Sequence, residues 1–80
     1  MNTKEAIAAR LNELSNEHKM AINGIAVSAG ITPSTIYSML NTKSQNPGIV
    51  TIKKICDGLG ISLREFFNSN IFDDLEQEIK

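Results

Sequence analysis

The sequence predicts an all-α protein, a compact bundle of five helices with a short C-terminal helical extension. Apolar residues recur every three or four positions along the chain, and no segment sustains the two-residue alternation of a strand. Turn formers punctuate that rhythm at Gly30, at Asn41 to Gly48, at Gly58 and at Gly60, so the connections are short. The 80 residues, 41% hydrophobic and 21% charged, supply one core and not two.

The first helix covers about residues 3–18, with Thr3 as N-cap and Ile7, Leu11, Leu14 and His18 in its apolar spacing. The second covers about 21–29, with Ile22, Ile25, Ala26 and Ala29 inward. Gly30 follows as the residue that turns left-handed after a helix end. Thr32-Pro33 reads as N-cap and first helical residue of a third helix, about 33–40, because a first-turn residue needs no amide hydrogen. Its apolar positions are Ile36, Met39 and Leu40. A polar loop leads to a fourth helix, about 49–58, with Ile49, Ile52, Ile55, Cys56 and Leu59 on or near one face, and Gly58 and Gly60 bracketing its end. Ser62 caps a short fifth helix holding Leu63, Phe66 and Phe67. Ile71, Phe72, Leu75 and Ile79 then form a last amphipathic turn or two.

Composition narrows the function classes. One cysteine excludes an internal disulfide and a cysteine-rich metal site. No apolar run approaches a membrane span, and no basic-then-apolar segment opens the chain. The expected location is the cytoplasm. The chain holds no glycine-rich phosphate loop, no metal cluster and no nucleophile–base pair, so neither an enzyme nor a cofactor is expected. The formal charge is −1, from 8 basic and 9 acidic side chains, but the distribution is uneven. Residues 1–64 are mildly basic. The acids Glu65, Asp73, Asp74, Glu76 and Glu78 face only Lys80 in the rest. The body can therefore face a polyanion while the tail points elsewhere.

The most informative stretch is Ile22 to Leu40. Two short helices flank the turn Gly30-Ile31-Thr32, small Ala26 permits a close crossing, and Ile25, Ile31 and Ile36 anchor the pair. That is the recipe of a helix-turn-helix, whose second helix can enter the DNA major groove. The run I-A-V-S-A-G-I-T-P-S-T-I-Y-S-M-L, followed by N-P-G-I-V-T-I-K-K-I-C-D-G-L-G-I-S-L-R-E-F-F, resembles the lambda-repressor-like family of helix-turn-helix proteins, the Cro/cI or XRE type. The resemblance covers about residues 5–67. It implies a helix-turn-helix DNA-binding domain at 1–67, its motif at about 21–40, and an acidic amphipathic extension at 68–80.

By that resemblance the third helix reads bases through Thr32, Pro33, Ser34, Tyr37, Ser38 and Asn41. Hydroxyls pair with several bases and discriminate weakly, so DNA shape or a partner subunit supplies part of the specificity. Phosphates are expected at the Ile22 and Asn23 amides, at Thr35 (which alternatively closes the helix start), and along Thr42, Lys43, Ser44, Gln45 and Asn46. Two departures from the family pattern stand out. Ile22 lacks the polar side chain often found at its position. Ser15 and Leu40 occupy the places of an Arg–Glu pair in some members, and both halves are replaced together, which is often neutral.

The implied function is a sequence-specific transcriptional regulator, a small repressor, acting on double-stranded DNA as a homodimer. Phe66, Phe67, Ile71, Phe72 and Leu75 are the candidate dimer interface; the competing reading of the tail is an amphipathic cap on its own bundle. An alternative function of another class is a protein-interaction module, an antitoxin-like or anti-regulator partner that uses the tail as its contact. His18 reads as a favourable charge at a helix C-terminus and Cys56 as a core thiol. Met20, Met39, Phe66 and Phe67 read as core, and Lys53 and Lys54 as solvated surface.

Overall fold

The structure is a computed structural model that describes residues 1–41 and 47–79. It contains five α-helices, α1 (Thr3–His18), α2 (Ile22–Ala29), α3 (Pro33–Leu40), α4 (Ile49–Leu59) and α5 (Leu63–Phe66), followed by a 3-10 turn at Asn70–Phe72. Among the described residues there is no strand. None of the helices is long and apolar enough to cross a membrane.

Local chemistry fixes most helix ends. The N-cap of α1 is Asn2, not Thr3: its side-chain oxygen accepts from the Glu5 amide at 2.8 Å, and Glu5 accepts from the Asn2 amide at 2.9 Å. The reciprocal pair needs an acceptor at both ends, and Glu5 lies three residues after Asn2. Lys19 closes α1 in the left-handed conformation at φ 53°. There the Ser15 hydroxyl donates to the Met20 carbonyl at 2.5 Å. Ser62 caps α5 through the Glu65 amide at 3.0 Å.

The core is built from Ile7, Leu11 and Leu14 of α1, Ile25 and Ala26 of α2, Ile36 and Met39 of α3, Ile52, Ile55 and Cys56 of α4, and Phe66 of α5. Met20, Leu40 and Leu59 pack against it half-buried. Ile49 is a correction. It lies in the first turn of α4 and is exposed, because that turn overhangs the core that Ile52 and Ile55 enter. Helix α4 also runs one residue further than expected, to Leu59, so Gly58 sits inside it and Gly60 alone closes it.

Among the described residues, Arg10 is the one buried charged side chain, at 3% exposure. Its guanidinium donates through Nε to the Phe66 carbonyl at 2.6 Å and through Nη2 to the Glu65 carbonyl at 2.8 Å. Nη1 donates to Glu13 at 3.0 Å and lies 3.5 Å from Glu17. Glu13 in turn accepts from the Ser69 hydroxyl at 3.1 Å. A residue of α1 thus supplies donors to the last carbonyls of α5, of which that of Glu65 also accepts from the Asn68 amide at 3.2 Å.

The expected C-terminal helix is reduced to the 3-10 turn. Beyond it the chain runs non-helically beside the start of α1. The Glu76 amide donates to the Met1 carbonyl at 3.1 Å. The Thr3 hydroxyl and amide donate to Glu78 at 2.9 and 3.2 Å. Long-range bonds replace the i to i+4 ladder. Leu75 is half-buried, and Ile79 faces solvent.

Cys56 is fully buried. Burial pushes its thiol above the ordinary value; the Lys53 charge opposes that shift and the Asp57 charge adds to it. The folded protein is therefore expected to resist a thiol reagent such as Ellman's at pH 8 and to react stoichiometrically once unfolded. The thiol of the unfolded chain ionises first. The Cys56 contribution to stability is thus complete below about pH 8.5 and is lost as pH rises through the folded value. Cys56→Ala should remove that part of the alkaline slope in a urea titration. Rapid labelling of the native protein would show the thiol to be accessible.

Candidate nucleic-acid interface

The helix-turn-helix forms from three local devices. Gly30 ends α2 at φ 69°, a conformation that costs glycine little and other residues more. Its amide donates to the Val27 carbonyl and the Ile31 amide donates to Ala26, both at 3.1 Å, which closes the helix end before the chain turns. Thr32 opens α3: its hydroxyl oxygen accepts from the Thr35 amide at 3.3 Å, with Pro33 in the first turn.

The phase of α3 then follows from its two buried residues. Ile36 is completely enclosed and Met39 is 3% exposed. The opposite side carries Ser34, Tyr37, Ser38 and Asn41, spaced i, i+3, i+4 and i+7 and all exposed. Thr32 and Pro33 are exposed at the leading end. All six base-reading candidates therefore lie on the outer side of α3 or at its ends. Tyr37 is the largest of them and is 49% exposed.

The phosphate candidates divide. Asn23 is exposed at the start of α2, and Ile22 is half-buried, its side chain packed against the core. The α2 N-cap is Ala21, which has no capping side chain, so the first-turn amides keep their donor capacity. Thr35 is already engaged: its hydroxyl lies 2.9 Å from that of Thr32, within the cap of α3. Thr42, Lys43, Ser44, Gln45 and Asn46 lie outside the described residues.

A model of the Cro/C1-type HTH DNA-binding domain matches residues 10–70. The chain belongs to the Cro/C1-type helix-turn-helix family. Among solved structures, the family member's fold is similar to the crystal structure of the prophage Lp1 protein 11. That chain is 36% identical, with a TM-score of 0.81 over 94% of this chain and 100% of that one. No curated protein matches the sequence. The Cro/C1-type assignment makes this a DNA-binding domain. The matched span takes in the whole helix-turn-helix and the first residue of the 3-10 turn.

The residues proposed for dimerisation do not all reach the surface. Phe66 is completely enclosed by its own chain, so its side chain has no area to offer a partner. Phe67 is 38% exposed, which corrects its reading as core. It stands edge-on to Phe66 at 5.0 Å and to Phe72 at 5.1 Å between ring centroids. Ile71, Phe72 and Leu75 are half-buried. No group of three or more His, Cys, Asp or Glu side chains among the described residues could hold a metal ion. Lys53 and Lys54 are exposed, and Lys53 pairs with Asp57 one turn on.

Proposed function

We propose that the protein is a small cytoplasmic repressor that binds a two-fold-symmetric duplex as a homodimer and lays α3 in the major groove. The observation that supports this reading most is the outer side of α3. A short helix whose buried half is Ile36 and Met39 turns a row of small polar side chains and one tyrosine to solvent. Such a surface can follow a groove without steric conflict. It lacks a side chain suited to a two-pronged base contact within the helix, so shape readout and the second subunit carry much of the selectivity. Backbone amides at the start of α2 and the segment 42–46 clamp the phosphates on either side.

Selection from a pool of random duplexes, sequenced at low and moderate salt, tests the proposal. A symmetric site should be enriched and should survive moderate salt. The double variant Tyr37→Ala, Ser38→Ala should lose about tenfold in affinity for that site while keeping most nonspecific affinity. Binding seen only at low salt, with no enriched site, would displace this reading in favour of the protein-interaction module.

A further inference from the structure

The hydroxyls at the start of α3 are linked, and the link bears on what each can offer to DNA. The Thr32 hydroxyl lies 3.3 Å from that of Ser34 and 2.9 Å from that of Thr35. The Thr35 amide, shared with the Thr32 carbonyl at 3.0 Å, also donates to the Thr32 hydroxyl oxygen at 3.3 Å. A hydroxyl has one proton and two lone pairs. The amide takes one lone pair, so Thr32 is left with one pair and one proton for two neighbours. One neighbour must donate to Thr32 and the other must accept from it. Ser34 and Thr35, both exposed, therefore differ in what they keep for a ligand: one has a free proton, the other has lone pairs only. Among the described residues, neither hydroxyl has another hydrogen-bond partner.

Helical geometry distinguishes the two ends of the chain of hydroxyls. Ser34 belongs to the outer row of α3. Thr35 follows it by about 100° around the axis, between that row and the buried Ile36 and Met39. In a groove, this exposed flank faces the wall, and the wall is made of phosphates, which only accept. We infer that Thr35 donates to a phosphate, Thr32 to Thr35 and Ser34 to Thr32. Ser34 then presents lone pairs alone, and it reads an amino base, adenine or cytosine, in preference to guanine or thymine. This inference rests on the proposed placement of α3 in the major groove and adds a base class to a hydroxyl that would otherwise accept any base. Thr35 is a positioning residue: it touches no base, yet it decides what Ser34 can read. The reverse order of donation would spend the Thr35 proton on Thr32 and set two acceptors against each other at the phosphate.

The test repeats the random-duplex selection with full-length Ser34→Ala, Thr35→Val and Thr35→Ser chains, each also followed by thermal unfolding. One position of the wild-type site should lose its preference in Ser34→Ala. At that position the wild type should favour adenine or cytosine by about fivefold, the worth of one hydrogen bond. Thr35→Val keeps the side-chain shape and removes the hydroxyl. It should weaken binding and cut the preference at the same position to below about twofold, because the Thr32 proton then turns to Ser34 and frees the Ser34 proton for a keto base. Thr35→Ser should restore both. The unfolding temperature should stay at the wild-type value, whereas a role confined to the helix cap would lower it and leave the preference intact. A keto base at the Ser34 position would overturn the relay. So would a Thr35→Val chain that binds all sequences equally more weakly, or a Ser34→Ala chain with wild-type preferences. In each of those cases a lost preference in the Tyr37, Ser38 double variant would leave the groove reading standing. If no α3 variant moves the preference at any position, the groove reading falls and the relay with it.

Discussion

Arg10→Ala is expected to cost about 4 kcal/mol of folding stability, from the cavity it opens and the Phe66 carbonyl it leaves without a donor, the Glu65 carbonyl keeping that of the Asn68 amide. The guanidinium is 3% exposed and holds the carbonyls of Phe66 and Glu65. A chain of this size has about 4–12 kcal/mol in total, so the variant should melt about 20 °C lower or fail to fold at 37 °C. Arg10→Lys should recover less than half of the loss, because one ammonium on a flexible stem cannot serve two carbonyls and a carboxylate in a fixed fork. Added salt should change the Arg10 contribution little, since most of it comes from bonds to backbone oxygens in a dry site. Urea unfolding followed by circular dichroism reads all three. An Arg10→Ala variant within about 1 kcal/mol of wild type would mean that water replaces the guanidinium without penalty.

That side chain also shows where reading the sequence stops. Ala6, Ile7, Arg10, Leu11 and Leu14 are all buried along one side of α1. Arg10 keeps the apolar period in position and breaks it in type. The Glu13 and Glu17 partners are local, but the two carbonyls it serves lie 55 and 56 residues away, beyond any local pattern. A cation placed in an apolar stripe is the available signal, and it does not say which carbonyls the cation meets. The helix-turn-helix was legible for the opposite reason. Thr32, Pro33 and Gly30 act on their immediate neighbours, and once they fix the start of α3 the pair Ile36 and Met39 sets its rotation. The outer position of Ser34, Tyr37, Ser38 and Asn41 then follows from helical geometry alone. The tail keeps to its own chain, as the cap reading has it, but not as a helix: the amphipathic spacing of Phe72, Leu75 and Ile79 does not reveal that Glu76 and Glu78 have partners at the other end of the chain. Phe66 and Phe67, adjacent and chemically identical, separate into core and surface only when α1 and the 3-10 turn are in place.

Gly58→Ala is expected to destabilise the protein by about 2 kcal/mol, although alanine is the better helix former by about 1 kcal/mol. A β-carbon at Gly58 would lie 2.6 Å from the Ser28 carbonyl carbon, 2.7 Å from its oxygen and 2.8 Å from the Ala29 amide nitrogen. These are backbone atoms of the last turn of α2, so no side-chain rotation relieves the overlap. The two helices must separate, and α2 carries the first half of the helix-turn-helix. Ser28→Gly should therefore give no rescue in the double variant, whereas a clash with a side chain would be relieved by trimming it. Moving α2 also displaces α3, which packs on it. At a temperature where Gly58→Ala remains folded, its affinity for DNA should fall by about tenfold, since misplacing a reading helix by a fraction of an ångström costs several contacts together. Thermal unfolding and a DNA titration on the same preparation separate the two effects. A Gly58→Ala protein that melts at or above the wild-type temperature would show that α2 and α4 have room to yield.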